Sequence, residues 1–193
     1  MRMRFRKVLA SVILLSLWGG SMIFADTVSQ KIKVTVNGSA LNDSGIVADG
    51  TTYLPIRQLA DTFNAFISWG DNKQVNINRP NIHMMTMNVA PNGSVYPFQA
   101  VEKGSTVTFY VLVHGDSLKT PISAAKMEIV DPGDSVKEIY YESDPENLNV
   151  FQLRTKEQKY KFGSEGEYKV RMYMKPAGSE EWTLVSEKLI FSK

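Results

Sequence analysis

The chain contains no cysteine. That absence removes a disulfide framework, thiol catalysis, cysteine-ligated zinc and a lipid-modified N-terminal cysteine. Histidine is nearly as scarce, with only His83 and His114 in 193 residues. The serines therefore have few imidazole partners that could activate a nucleophile. No Gly-rich phosphate loop occurs, because Gly163-Ser-Glu-Gly166 is too short and opens a strand rather than a helix. A calcium loop of the D-x-D-x-D-G type is also missing.

What is present begins with a basic stretch, Arg2, Arg4, Arg6 and Lys7, followed by an apolar run from Val8 to Trp18. Gly19-Gly20-Ser21 breaks that run before Ala25. This pattern predicts a secretory signal peptide over residues 1–25, cleaved after Ala25. An uncleaved anchor is the alternative, but the Gly-Gly-Ser break argues against a continuous span of about 20 apolar residues. Loss of the four basic leader residues turns the formal net charge from +2 to −2 in residues 26–193. No basic patch then remains to attract nucleic acid or an anionic membrane. No later stretch reaches transmembrane length, so the expectation is a secreted or wall-associated protein with no membrane span after cleavage.

Asn78-Arg79-Pro80-Asn81 reads as a hinge between two domains, residues 26–79 and 82–193. In the first, Ile32–Val36 alternates apolar and polar residues as a strand, and Asn37-Gly38 signals a hairpin. Asp49-Gly50 is a second turn, and Pro55 opens a short helix. Ile56, Leu59, Ala60 and Phe63 form one apolar stripe on that helix, which Asn64 closes in a left-handed cap. Phe66–Trp69 and Gln74–Ile77 complete a β-β-β-α-β-β order.

Val36-Asn-Gly38, Ile46-Val-Ala-Asp-Gly-Thr-Thr-Tyr-Leu-Pro-Ile-Arg57, Leu59-Ala-Asp61, Phe66-Ile-Ser-Trp69 and Lys73-Gln-Val-Asn-Ile77 carry a resemblance. Together they are similar to the copper amine oxidase N-terminal-like stalk domain, common in exported proteins of Gram-positive bacteria. The resemblance covers about residues 30–78. It departs from the family pattern at Asp61, where Glu is usual, and at Asn64, where Gly is usual. It implies a small α+β fold and an envelope location, with Gly38, Leu54, Pro55, Arg57 and Trp69 as structural motif residues. It does not imply oxidase chemistry. That chemistry belongs to a separate domain with three histidine ligands and a modified tyrosine, and this chain has two histidines.

Residues 82–193 read as all-β. Val107, Phe109, Val111 and Val113 share one face of a predicted strand, and Tyr168, Val170, Met172 and Met174 share one face of another. Further strands are expected over 82–89, 123–130, 136–141, 148–153, 158–162 and 182–191, separated by turn residues. This spacing predicts an antiparallel sandwich. Gly166-Glu-Tyr168, followed by a hairpin to Trp182, resembles the end of bacterial immunoglobulin-like domains, where a tyrosine packs at a corner. The predicted class is mainly β: an α+β stalk domain followed by an immunoglobulin-like β-sandwich.

Three groups of residues merit attention as sites. His83-Met-Met-Thr-Met87 offers imidazole and thioether ligands suited to copper, with His83, Met85, Met87 and His114 as candidates. The preferred reading places Met85 and Met87 in a core face as filler and His114 in a loop, with no metal and no cofactor. Carboxylates at Asp131, Asp134, Asp144 and Glu146 flank prolines and read as turn formers rather than a glycosidase pair. Tyr140, Tyr141 and Trp182 are candidates for a partner or glycan surface, and Tyr110 and Tyr173 could also be partly exposed. Trp182 is read in the first instance as a core tryptophan. These readings converge on a non-catalytic binding or spacer protein of the envelope. Its expected partner is a cell-wall glycan or an envelope protein; a carbohydrate-binding module and copper handling are the alternatives.

Overall fold

A computed structural model describes residues 29–143 and 150–193. The predicted leader, Asp144 and Glu146 lie outside the described residues. No described helix is long and apolar enough to cross a membrane. The chain is mainly β and divides into two compact units, one ending at Pro55 and one spanning Ile56–Lys193. That division falls upstream of the expected hinge at residues 78–81.

The first unit holds β1 (Gln30–Ile32), β2 (Thr35–Val36), β3 (Ser39–Ala40), β4 (Gly45–Ala48) and β5 (Thr51–Tyr53). β1, β4 and β5 form one antiparallel sheet, and β2 pairs with β3. The strand expected over 32–36 is thus split, its two ends serving different partners. Both hairpins turn as the sequence implies. Asn37 and Gly38 have φ of 50° and 84°, and Asp49 and Gly50 have 50° and 71°. Two successive left-handed residues match the twist of the flanking strands. Gly45 lies where a Cβ would sit 3.0 Å from the Leu54 and Val34 side chains, so its bareness lets those chains close over β4.

The second unit opens with α1 (Ile56–Thr62), β6 (Phe66–Trp69) and β7 (Val75–Asn78). Asn64, at φ 53°, ends the helix as expected, and the Ala65 N–H donates to the Ala60 carbonyl at 2.8 Å. The apolar stripe is only partly used. Ala60 is buried, whereas Ile56 and Phe63 are exposed. Phe66 instead joins the main hydrophobic core, and the helix and the β6–β7 hairpin fall within the second unit.

Two five-stranded sheets follow. β8 (Asn81–Val89), β9 (Val95–Pro97), β11 (Thr106–Asp116) and β14 (Phe151–Arg154) run in the order β14-β11-β8-β9, with β15 (Gln158–Lys161) also pairing with β11. The other sheet runs β10-β17-β16-β12-β13. It comprises β10 (Ala100–Val101), β12 (Ile122–Val130), β13 (Val136–Ser143), β16 (Gly166–Pro176) and β17 (Thr183–Ser192). All pairings are antiparallel except β10 with β17. Inward residues of both sheets share one core: Phe109, Val111 and Val113 from one, and Met127, Ile129, Val170, Met172 and Met174 from the other.

Without disulfides, this core is held by packing and by a few buried polar contacts. Phe162 meets Tyr168 edge-on with ring centroids 4.9 Å apart. The Tyr168 hydroxyl accepts from the Ser164 N–H at 2.9 Å and donates to the Ser164 carbonyl at 3.1 Å. Between β14 and β15 the ladder breaks at Thr155. Its Oγ1 accepts from the buried Val111 N–H at 3.0 Å, so no donor is left unpaired at the break.

One register expectation is corrected. The core face of β8 carries Ile82, Met84 and Thr86, not Met85 and Met87. Thr86 can point inward because its hydroxyl donates to the Phe98 carbonyl at 2.5 Å. His83 and Met85 therefore face outward, and the reading of Met85 and Met87 as core filler fails. A run with methionines on both faces gives no alternation from which to choose the buried side.

Candidate binding face

The outward face of the β12–β16 sheet gathers an aromatic and charged cluster. Alternation places buried Met127, Met172 and Met174 inward, and hence Lys126 and Tyr173 outward. Lys126 is in register with Tyr141 of β13 on one side and Tyr173 of β16 on the other. Trp182, just before β17, completes the group. The Lys126 Nζ lies 5.1 Å from the Tyr173 ring centroid and 5.2 Å from that of Trp182. Both distances suit a cation–π contact. Tyr141 meets Trp182 with centroids 6.4 Å apart and planes at 61°. Glu128 pairs with Lys126 at 2.5 Å, so the ammonium between the rings is neutralised.

Charge pairs frame this cluster. Arg171 binds Glu187 at 2.7 Å, a hydrogen bond that raises the guanidinium pKa above its ordinary value. Lys175 reaches Glu180 at 2.7 Å and holds that exposed carboxyl below its usual range. Beside Trp182 and Tyr173 lies a cleft of about 790 Å³, whose walls also carry Arg57, Asp61 and Lys119. Its volume is in the range of small-molecule sites, about 300–1,000 Å³.

The predicted surface residues separate. Tyr141 and Trp182 come together, with Tyr141 55% exposed. Trp182 is half-buried on the outer face, which corrects its reading as a core tryptophan. Tyr140 turns the other way and packs against the core, in register with buried Met127. Its hydroxyl donates to Glu142, and burial followed by that contact pushes the phenol pKa well above its ordinary value. Tyr110 is buried, with the Arg154 guanidinium 3.9 Å above its ring. Tyr173 is partly exposed, as expected. Lys126 drew no attention in the sequence, although its place between buried Ala125 and Met127 marks it as outward.

The motif residues fall in several places. Gly38 makes its hairpin turn, and Pro55 immediately precedes α1. Leu54 lies against Gly45 while remaining partly exposed. Arg57 lines the cleft, and Trp69 on β6 is 60% exposed. On the opposite sheet His83 and His114 stand opposite one another in register, so His114 belongs to strand β11 rather than to a loop. Among the described residues, no group of three His, Cys, Asp or Glu is placed to hold a metal ion. No protein-family model matches the chain, and no curated protein matches it either.

Proposed function

We propose that this chain is an exported, non-catalytic binding protein of a Gram-positive-type cell envelope, secreted or held at the wall. In this reading residues 26–79 are the copper amine oxidase N-terminal-like stalk module. Residues 82–193 are an immunoglobulin-like sandwich. The strand order supports the second assignment, with a short β10 pairing in parallel with the last strand and β8, β11, β14 and β15 forming the facing sheet. Tyr168 adds support, because its hydroxyl binds the backbone four residues upstream as in the tyrosine corner of such domains.

The observation that carries the binding reading is the cluster of Tyr141, Tyr173 and Trp182 around Lys126. The fold does not need these rings for its core, and amphipathic aromatics on a surface are the side chains that dominate recognition.

A glycan ligand is the second reading, favoured by the cleft, where an indole wall adjoins Arg57, Asp61 and Lys119. The 61° angle between Tyr141 and Trp182 gives no flat platform, so a sugar would stack on one ring and extend into the cleft. Residues 26–193 should be sedimented with native envelopes and with purified sacculi, as wild type, Tyr141→Ala and Trp182→Ala. Saturable binding to sacculi that weakens in both variants supports the glycan reading. Binding to native envelopes alone supports a protein partner. Binding to neither, or equal binding by all three proteins, refutes the proposed face.

A further inference from the structure

The cross-strand pair His83–His114 carries chemistry that the aromatic face does not use. β8 and β11 pair antiparallel, with His83 directly opposite His114 and Met85 opposite Leu112. Both histidines are exposed, and they lie on the same outward face because Ile82, Met84 and Val113 point into the core. Directly opposed residues on antiparallel strands hold their Cβ atoms about 4.5–5.5 Å apart. At that spacing two imidazoles can turn one nitrogen each onto a shared ion, which needs metal–nitrogen bonds of about 2.0–2.1 Å.

The surroundings define the rest of the site. Met85 follows His83 by two residues on the same face and is 48% exposed, so its thioether has freedom to swing toward the pair. On the far side Asn81 donates to Asp116 at 3.0 Å, which engages one carboxylate oxygen. Arg154, in register with Leu112, is stacked on Tyr110 and paired with Glu157 at 3.0 Å, so its charge is directed elsewhere. Among the described residues no group of three His, Asp or Glu side chains forms here, so the two imidazoles make an open site rather than a closed tetrahedral structural one. For an open imidazole site the order of divalent affinity peaks at Cu(II), and a neighbouring thioether favours Cu(I).

We infer that His83 and His114 form a copper-ion site on the outer face of the β8–β11 sheet, with Met85 as a third ligand to the cuprous ion. The inference is independent of the aromatic face, which lies on the other sheet. The test is titration of residues 26–193 with Cu(II), followed by electron paramagnetic resonance, and competition for Cu(I) against a chromophoric chelator. One Cu(II) per chain with nitrogen hyperfine coupling is expected, and Zn(II) and Ni(II) should bind more weakly. His83→Ala and His114→Ala should each weaken Cu(II) at least tenfold with unchanged circular dichroism, since both side chains are exposed. Met85→Leu should weaken Cu(I) and leave Cu(II) unchanged. Copper binding that survives both histidine variants, or no stoichiometric binding at all, overturns the site. Cu(I) affinity unaffected by Met85→Leu overturns the third ligand.

Discussion

Removing one oxygen atom from Tyr168 tests how a sandwich without disulfides closes its corner. The ring is 2% exposed and packs edge-on against Phe162 and Tyr160, at 4.9 and 6.0 Å between centroids. Tyr168→Phe keeps those contacts and deletes only the two hydrogen bonds to the Ser164 backbone. Each such bond contributes about 0.5–1.5 kcal/mol net. Ser164 is exposed, so water can satisfy its freed N–H and carbonyl, which places the loss toward about 1–2 kcal/mol. Tyr168→Ala removes the ring as well and should cost about 3–5 kcal/mol. Urea unfolding of residues 26–193, followed by circular dichroism and tryptophan fluorescence, measures both. The midpoint should fall while the slope stays constant for Tyr168→Phe. A midpoint indistinguishable from wild type would mean that the ring alone holds the corner.

Three further outcomes are expected. At Gly115 an added Cβ would overlap the Phe151 ring and lie 2.9 Å from Ile82, so Gly115→Ala should destabilise by about 1–3 kcal/mol. Adding Phe151→Leu should restore part of that loss in the same unfolding assay. Thr155→Val strands the buried Val111 N–H and should cost about 1–3 kcal/mol, with faster hydrogen exchange at Val111. Burial and Glu142 hold the Tyr140 phenol above its usual pKa, so the folded state keeps a proton that the unfolded chain releases. Its contribution is therefore complete below about pH 10 and is lost as pH rises beyond that. Unfolding at stepped alkaline pH should show a shallower decline for Tyr140→Phe, and parallel declines would contradict the assignment.

The long strands of the second unit were readable because their burial is one-sided. Tyr168, Val170, Met172 and Met174 alternate with polar residues and are all buried, as the pattern implies. The Asn37-Gly38 and Asp49-Gly50 turns and the Asn64 cap were legible for a different reason, since few other residues tolerate positive φ. β9 and β10 were missed because two or three residues cannot display a period. On β8, methionines on both faces hid which side is buried, and a hydroxyl (Thr86) took a core position that its polarity argues against. The pairing of His83 with His114, and of Lys126 with Tyr173, depends on register between strands far apart in the chain. Local patterning carries no such information.

If Trp182 sits in the binding face, its own fluorescence reports occupancy. Residues 26–193 contain two tryptophans, Trp69 and Trp182, so Trp69→Phe leaves Trp182 as the sole indole. This variant should be titrated with native envelope fragments while emission and acrylamide quenching are followed. A saturable emission change and reduced quenching that track co-sedimentation are expected. Co-sedimentation with unchanged emission and unchanged quenching would place the binding surface elsewhere.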